Sequence, residues 1–319
     1  MRQCAPVLDD IDYSARLLGS LLGGAVGDAF GYEVEFMNTE AISKKFGSDG
    51  IVSPVFHEGR LLVSDDTQMT LFTMEGITAC RSGWENHDSV VNSIHRSYLE
   101  WLDTQLHSTL INERGERGWL RGQQTMWANR APGNTCISAL KAGGNGTVVA
   151  PINDSKGCGG VMRVAPIGWA KQWTSEQAFE IACAAAALTH GHPTGFFAAG
   201  VMAAIIRLLM DGEELLPAVH RGLSLVPAGK GVDETRRAAE MAITLAQGDD
   251  DVKTSIAALG RGWIAEEALA IGLFAALRGN DFPEVISIAA NHDGDSDSTA
   301  SIAGQLFGAW KGYSRSPTH

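Results

Sequence analysis

Two clusters of carboxylates lie at opposite ends of this 319-residue sequence. Residues 64–67 read Ser-Asp-Asp-Thr, and residues 291–299 read Asn-His-Asp-Gly-Asp-Ser-Asp-Ser-Thr. Grouped carboxylates repel one another, so a fold keeps them ionised together only where cations or positive groups neutralise them. Hard oxygen ligands of this kind suit magnesium, manganese or calcium rather than zinc. The pattern predicts a split metal site and a single domain that brings both clusters together.

The second cluster has the alternating aspartates of an EF-hand calcium loop, but it lacks the rest of that motif. An EF-hand needs glycine at its sixth position and glutamate at its twelfth, where this chain has Ser298 and Gly304. Helix capping or a solvated turn is an alternative for either cluster alone. Two clusters, each at a predicted helix start, favour the shared metal site.

Composition and charge exclude several classes of protein. Hydrophobic residues make up 45% of the chain and charged residues 19%, which excludes a disordered or fibrous protein. The net charge of −12 makes a nucleic-acid partner unlikely. Five widely spaced cysteines without a CxxC pair indicate reduced thiols. No leader is recognisable, and Arg207 stops the most apolar stretch, so we expect a cytoplasmic protein with no membrane partner.

Helical spacing of apolar residues recurs along the chain, whereas the alternating patterns of strands are scarce, which predicts an all-α fold. The first predicted helix has an apolar face made of Leu18, Leu21, Leu22, Ala25 and Ala29. The same helix carries the glycines Gly19, Gly23, Gly24 and Gly27. Each glycine costs about 1 kcal/mol relative to alanine inside a helix. Close approach of another helix or of a ligand is the simplest compensation.

Further helices are predicted after Ser64, over 181–188, over 196–210 with Pro193 in the first turn, after Asp281, and over 298–310. Two long stretches, 114–134 and 143–160, have little pattern, and long loops in a compact domain are often functional. The second contains a glycine-rich run, 157–163, whose backbone N–H groups and arginine can hold a diphosphate or form an ordinary turn.

Two other short segments carry candidate functional groups. His190 and His192 can contact a phosphate or a ribose, although a lone histidine is more often a satisfied structural residue. Glu33 and Glu35 follow the glycine-rich helix, and Glu35 can act on a water molecule while Glu33 is solvated. Spacing alone does not rank these two glutamates.

Taken in order, five motifs of the chain resemble the ADP-ribosylglycohydrolase family, which includes the dinitrogenase reductase-activating glycohydrolases and the ADP-ribosyl-acceptor hydrolases. The motifs are residues 23–31 leading to Glu35, 64–67, 162–166, 189–193 and 294–298. The resemblance implies an all-α fold, a compact orthogonal helical bundle with a central dinuclear metal cleft. It also implies a single domain over 13–313, between an N-terminal extension at 1–12 and a C-terminal tail at 314–319.

The resemblance further implies two divalent cations, Mg²⁺ or Mn²⁺, as cofactors. The metal ligands that it implies are Ser64, Asp65, Asp66, Asp295, Asp297 and Ser298. The family's mobile active-site glutamate corresponds to Glu35, and either Glu35 or Asp66 accepts the proton of the attacking water. The residues implied in substrate binding are Gly159, Gly160, Met162, Arg163, His190 and His192. Cys158 stands where many family members have asparagine.

The expected function is a metal-dependent hydrolase that removes ADP-ribose from mono-ADP-ribosylated protein, with ADP-ribosyl-arginine as the first choice of substrate. Within the same class, ADP-ribosyl-serine, O-acetyl-ADP-ribose and ADP-ribosylated nucleic acid are alternatives. A second hypothesis is an immunity protein that neutralises an ADP-ribosyltransferase toxin by removing the modification or by binding the toxin. A third is a catalytically silent binding module, against which the two intact carboxylate clusters argue.

Overall fold

The computed structural model describes residues 10–80, 83–107, 118–229 and 233–313. Over these ranges the chain forms fourteen α-helices, three short 3₁₀ turns and no β-strand, which confirms the predicted all-α class. The helices are α1 (Asp10–Tyr32), α2 (Thr39–Phe46), α3 (Asp65–Thr78), α4 (His87–Leu106), α5 (Asn134–Lys141), α6 (Ala165–Gly168), α7 (Ser175–Ala187), α8 (Pro193–Met210), α9 (Leu215–Ser224), α10 (Asp233–Gln247), α11 (Val252–Leu259), α12 (Ala265–Arg278), α13 (Phe282–Ala290) and α14 (Ser296–Lys311).

The described residues include only part of the expected domain boundaries. Helix α1 begins at Asp10, so residues 10–12 of the expected N-terminal extension belong to the first helix. Residues 1–9 and the expected tail at 314–319 lie outside the described residues. The four described cysteines are free thiols, in agreement with the sequence analysis.

Helices α1 and α14 pack antiparallel with their backbones almost in contact. A Cβ added to Gly23 would lie 2.4 Å from the carbonyl oxygen of Gly304, and one added to Gly27 would lie 2.1 Å from that of Ala300. Any side chain at these glycines would therefore push the helices apart, which explains the glycines and confirms the predicted close approach. The pairing places the end of α1 beside the start of α14, where the second carboxylate cluster begins.

The same pairing determines which face of α1 is buried. Leu18 is 42% exposed and Leu22 is 44% exposed, whereas the glycines and Ser20 on the other side of the helix are buried. Two leucines of the apolar face named from the sequence therefore lie at the surface. Burial of α1 is decided by backbone-to-backbone contact with α14, and only glycine-sized residues fit there.

Helix α8 forms the centre of the bundle. It is long and apolar enough to cross a membrane, but 89% of that span is buried inside the protein. Pro193 occupies its first turn, as predicted, and His192 caps it by accepting a hydrogen bond from the N–H of Thr194. Near its other end the buried Arg207 donates to the carboxylate of Asp211, so its charge is neutralised within the bundle.

Candidate active site and metal centre

The N-termini of α3 and α14 meet at a cavity of about 260 Å³. Carboxylate oxygens of Glu35, Asp295 and Asp297 lie within 4.8 Å of one another there. The hydroxyl of Ser298 donates to Oδ2 of Asp66 over 3.3 Å, which joins two residues that are 232 positions apart. The structure therefore brings the two carboxylate clusters together, with Glu35 beside them.

Helix α1 holds the N-terminal cluster in place through Asp28. This fully buried carboxylate accepts hydrogen bonds from the N–H groups of Ser64 at 2.8 Å and Thr67 at 3.0 Å, and from the Thr67 hydroxyl. The Ser64 hydroxyl accepts from the N–H of Asp66 at 3.2 Å and so acts as the N-cap of α3. The first turn of α3 is thus fixed, and Asp65 and Asp66 project from it into the cavity.

Different contacts hold the C-terminal cluster. The N–H of Asp295 donates to the carbonyl of Arg261 at 2.8 Å, and the hydroxyl of Thr299 lies 2.9 Å from the Asp295 carbonyl. No side chain caps the start of α14. The Cys158 thiol lies 2.7 Å from Oδ2 of Asp295 and donates to it.

The electrostatics of the cavity disfavour a cation-free carboxylate cluster. Burial raises the pKa values of Asp65, Asp66 and Asp297 well above their usual range, and repulsion among these carboxylates adds to the effect. Burial, reinforced by Asp297, raises the pKa of Glu35 to about 9. Each of these carboxyl groups is therefore costly to ionise without a compensating positive charge.

At the cavity, three buried carboxylate oxygens have no hydrogen-bond partner among the described residues. They are Oε2 of Glu35, Oδ1 of Asp66 and Oδ1 of Asp297, and all three residues line the cavity. Buried acceptors without partners are rare in folded proteins unless an ion or water satisfies them. An all-oxygen set of carboxylates and hydroxyls is the ligand type that Mg²⁺ and Mn²⁺ prefer, so the donor set fits a divalent metal centre.

Three of the expected substrate-binding residues line the cavity, namely Gly159, Met162 and His190. Burial lowers the pKa of His190 to about 3, so its imidazole is neutral, and its Nδ1 lies 2.8 Å from the hydroxyl of Thr189. A Cβ added to Gly159 would lie 3.1 Å from the His190 ring, so the glycine lets the ring pack against the loop.

The other three expected substrate-binding residues, Gly160, Arg163 and His192, do not line the cavity. Arg163 is fully buried behind it, where its guanidinium donates to the hydroxyl of Thr189 at 2.7 Å and lies 4.3 Å from the ring of Tyr98. Its hydrogen bonds are made inside the protein, so the diphosphate contact expected for Arg163 is not realised. His192 serves as the N-cap of α8.

Two parts of the site carry no motif from which their role is predicted. One is the segment 131–136, which lines the cavity and whose Gly133 N–H donates to Oδ2 of Asp65 at 3.1 Å. It lies at the end of the pattern-poor stretch, where the Pro-Gly dipeptide at 132–133 is a turn signal. The other is the stacked pair Phe36 and Trp263, with ring centroids 5.4 Å apart. They lie far apart in sequence, and no local pattern pairs them.

Comparisons with known proteins agree with this geometry. Residues 9–319 match the family model described as ADP-ribosylglycohydrolase. The chain is 25% identical over 314 residues to the ADP-ribosylarginine hydrolase Tri1 of Pseudomonas putida, covering 95% of this chain and 72% of that protein. It is 28% identical over 302 residues to an uncharacterized protein of Archaeoglobus fulgidus, covering 92% of this chain and 86% of the other.

A solved structure described as an ADP-ribosylglycohydrolase-related protein complex shares the fold, with a TM-score of 0.58 and 24% sequence identity. The match covers 95% of this chain and 89% of the solved one. The family match extends over nearly the whole chain and includes every residue of the cavity. The chain therefore belongs to the ADP-ribosylglycohydrolase family, whose members are metal-dependent hydrolases of ADP-ribosylated substrates.

Proposed function

We propose that this protein hydrolyses the bond between ADP-ribose and an arginine side chain of a modified protein, in a reaction that depends on divalent cations. The observation that carries the proposal is the convergence of Glu35, Asp66 and Asp297 on one cavity, each with an unpartnered buried oxygen. The similarity to an ADP-ribosylarginine hydrolase supports arginine as the modified residue.

We assign the cation ligands to the residues at the starts of α3 and α14: Ser64, Asp65, Asp66, Asp295, Asp297 and Ser298. Two Mg²⁺ or Mn²⁺ ions held there would orient the ribose hydroxyls and lower the pKa of a bound water. Ser64 can take part although its hydroxyl caps α3, because a hydroxyl oxygen has a second lone pair.

Glu35 is the better candidate for the group that accepts the proton of the attacking water. Asp66 is anchored in α3, and one of its oxygens already accepts the hydroxyl of Ser298. Glu35 instead lies on the turn after α1 and is partly exposed, whereas Asp66 is buried. Burial raises the pKa of Glu35 to about 9 in the absence of cations, so the proposed cations would be needed to hold it as the carboxylate that accepts a proton.

The surrounding carboxylates suit the charge that the reaction creates. Cleavage at the anomeric carbon builds positive charge on the ribose, and water attacks that carbon. Asp66, Asp295 and Asp297 place negative charge next to Glu35, and because these aspartates are buried, their charge interactions are stronger than in water. Removing a cation or a carboxylate therefore changes the net charge that surrounds the ribose.

The test is release of ADP-ribose from an arginine-ADP-ribosylated protein by the purified enzyme, with Mg²⁺, with Mn²⁺ and with a chelator. A serine-ADP-ribosylated protein and O-acetyl-ADP-ribose are assayed beside it, and Glu35→Gln is the matched variant. We expect chelator-sensitive release from the arginine substrate and a large loss in the variant. Release from only the serine or acetyl substrate would keep the reaction class and overturn the arginine assignment.

The same reaction would reverse the action of a toxin that ADP-ribosylates arginine, and an immunity role would need no further chemistry. Direct binding of such a toxin through the N-terminal extension concerns residues 1–12, of which only 10–12 lie within the described ranges. We place the proposed reaction in the cytoplasm, where ADP-ribosylated proteins are available to a protein with reduced thiols.

A further inference from the structure

A groove of about 900 Å³ adjoins the candidate active site. Its walls come from residues 56–63 and 125–130, and both segments run directly into the cavity. Val63 precedes the cation ligand Ser64, and Arg130 precedes the cavity residue Ala131. The N–H of Asp65 also donates to the carbonyl of Arg130 at 3.1 Å. The groove and the cavity are therefore lined by consecutive residues of the same two segments, which places the groove next to the cavity.

The groove carries positive charge in a protein whose net charge is −12. Among the described residues no acidic side chain pairs with Arg60, which is exposed, or with Nη1 of Arg130, which is buried. His57 is different, because it contacts the carboxylate of Glu33. Among the described residues that line the groove, Glu58 carries the only acidic side chain. The exposed guanidinium of Arg60 is thus available to an acidic ligand, and the partly buried Arg130 adds positive charge to the groove wall.

The groove also has an apolar part, which a tight turn holds in a fixed position. Phe56 is 61% exposed, and Leu61 and Met126 are partly exposed beside it. The backbone groups of His57 and Arg60 exchange two hydrogen bonds, and the two residues between them have positive φ. Turns of this kind are well defined. Phe56 and Arg60 flank the turn and are presented together at the surface.

We propose that this groove binds the polypeptide that flanks the modified arginine, and that it selects segments with an acidic residue beside an apolar one. The inference rests on the proposed function, because it needs a substrate whose ADP-ribose lies in the cavity while its peptide chain extends outside. The consecutive lining segments place the groove beside the cavity, and the exposed, unpaired Arg60 supplies the charge complementarity.

The experiment compares three substrates: free ADP-ribosyl-arginine, an ADP-ribosylated arginine peptide with acidic and apolar flanking residues, and the same peptide with its acids changed to amides. The variants are Arg60→Glu, the conservative Arg60→Lys, and Phe56→Ala. Arg237→Glu, which makes the same charge change at an exposed position of α10, is the matched control.

We expect Arg60→Glu to raise KM for the acidic peptide about three- to tenfold, with kcat and the KM for free ADP-ribosyl-arginine unchanged. Arg60→Lys should restore most of the loss, Phe56→Ala should raise KM for both peptides, and Arg237→Glu should change nothing. The preference for the acidic peptide over its amide form should shrink as ionic strength rises.

Equal increases of KM for the free amino acid and the peptides would overturn the proposal, because Arg60 would then contact the nucleotide. An unchanged KM for both peptides would also overturn it. If the wild-type enzyme cleaves no arginine-linked substrate, the proposed function fails, and the same variants are compared on a serine-linked peptide pair. If Arg60→Glu then leaves the ratio of the two KM values for that pair unchanged, the groove assignment is overturned as well.

Discussion

The two carboxylate clusters of the active site are held in different ways. The N-terminal cluster is fixed by its own N-cap, Ser64, and by one buried carboxylate, Asp28, that accepts the first N–H groups of α3. The C-terminal cluster has no side-chain cap and depends on the carbonyl of Arg261 and the hydroxyl of Thr299. The first is stabilised by ionic hydrogen bonds at a helix start, whereas the backbone of the second is held by neutral hydrogen bonds to the loop at Arg261 and within α14.

This difference predicts which property of the protein a mutation near each cluster affects most. Charge-assisted hydrogen bonds are roughly twice as strong as neutral ones, so the loss of Asp28 should damage the fold itself. The loss of Thr299 should mainly shift Asp295, since Thr299 contacts the Asp295 carbonyl from within the same turn of α14. One cluster is therefore coupled to stability, and the other is coupled more directly to the geometry of the cation ligands.

The largest expected effect comes from removing one charge from either cluster. Asp66→Asn and Asp297→Asn should each reduce activity by more than the roughly 10–100-fold that loss of an outer partner of a metal ligand costs. Both should also lose the rise in melting temperature on adding Mg²⁺ or Mn²⁺. The matched control is Asp293→Asn, because Asp293 lies in the same acidic run but accepts the N–H of Thr39 outside the cavity. Full activity in either cluster variant would mean that the two clusters do not share one site.

The next largest effect is expected from Asp28→Ala. It leaves the buried N–H groups of Ser64 and Thr67 without an acceptor, at about 1–3 kcal/mol each. The free energy of unfolding should fall by about 2–5 kcal/mol in urea denaturation. Ser64→Ala should cost about 1 kcal/mol as the loss of an N-cap. A smaller loss for Asp28→Ala than for Ser64→Ala would contradict the dominant role given to Asp28.

Thr299→Val should act on the other cluster and more weakly on the fold. It removes a hydroxyl that contacts the carbonyl of Asp295 and lies 2.8 Å from Nε2 of His292. We expect a loss of about 1–2 kcal/mol in stability, with cation affinity reduced about 10–100-fold. Isothermal titration with Mn²⁺ measures the affinity. A stability loss as large as that of Asp28→Ala would erase the contrast between the clusters.

The smallest effect is the pH dependence of the cation-free protein. Burial raises the pKa of Asp28 from its usual value near 3.8 to about 6, and that of Glu35 from 4.5 to about 9. The folded state then binds more protons than the unfolded state, so stability falls as pH rises through these values. The melting temperature without cations should decrease from pH 5 to pH 9. Stabilisation by Mg²⁺ should increase over the same range, since cations bind the deprotonated groups. A melting temperature that rises with pH in the absence of cations would contradict the raised pKa values of these two groups.

Much of the site could be predicted from local patterns. Asp65, Asp66, Asp295 and Asp297 stand in short acidic runs at predicted helix starts, and the structure places all four around one cavity. Arg163 was a reasonable candidate for a diphosphate, but the turn at 158–163 directs it inward, toward Thr189 and Tyr98. Whether an arginine faces a cavity or a core depends on the packing of distant helices, which local sequence does not contain.

Asp28 is another residue whose role local sequence does not reveal. Its position within the glycine-rich helix is plain in the sequence, but its function depends on α3 lying against it. Arg130 and Trp263 are similar cases, because each becomes part of the site or its entrance only through neighbours far away in the chain.

The sequence by itself determined the helical class, the N-caps of α3 and α13, the early proline of α8, and the residue types available for a hard cation. These features depend on contacts within a few residues and on the oxygen chemistry of side chains. Tertiary structure alone decided that the glycine face of α1 is buried while Leu18 and Leu22 are exposed, and that Arg60 rather than Arg163 is available near the cavity. Burial and the pairing of charges depend on what packs against a side chain, and that is set by the whole fold.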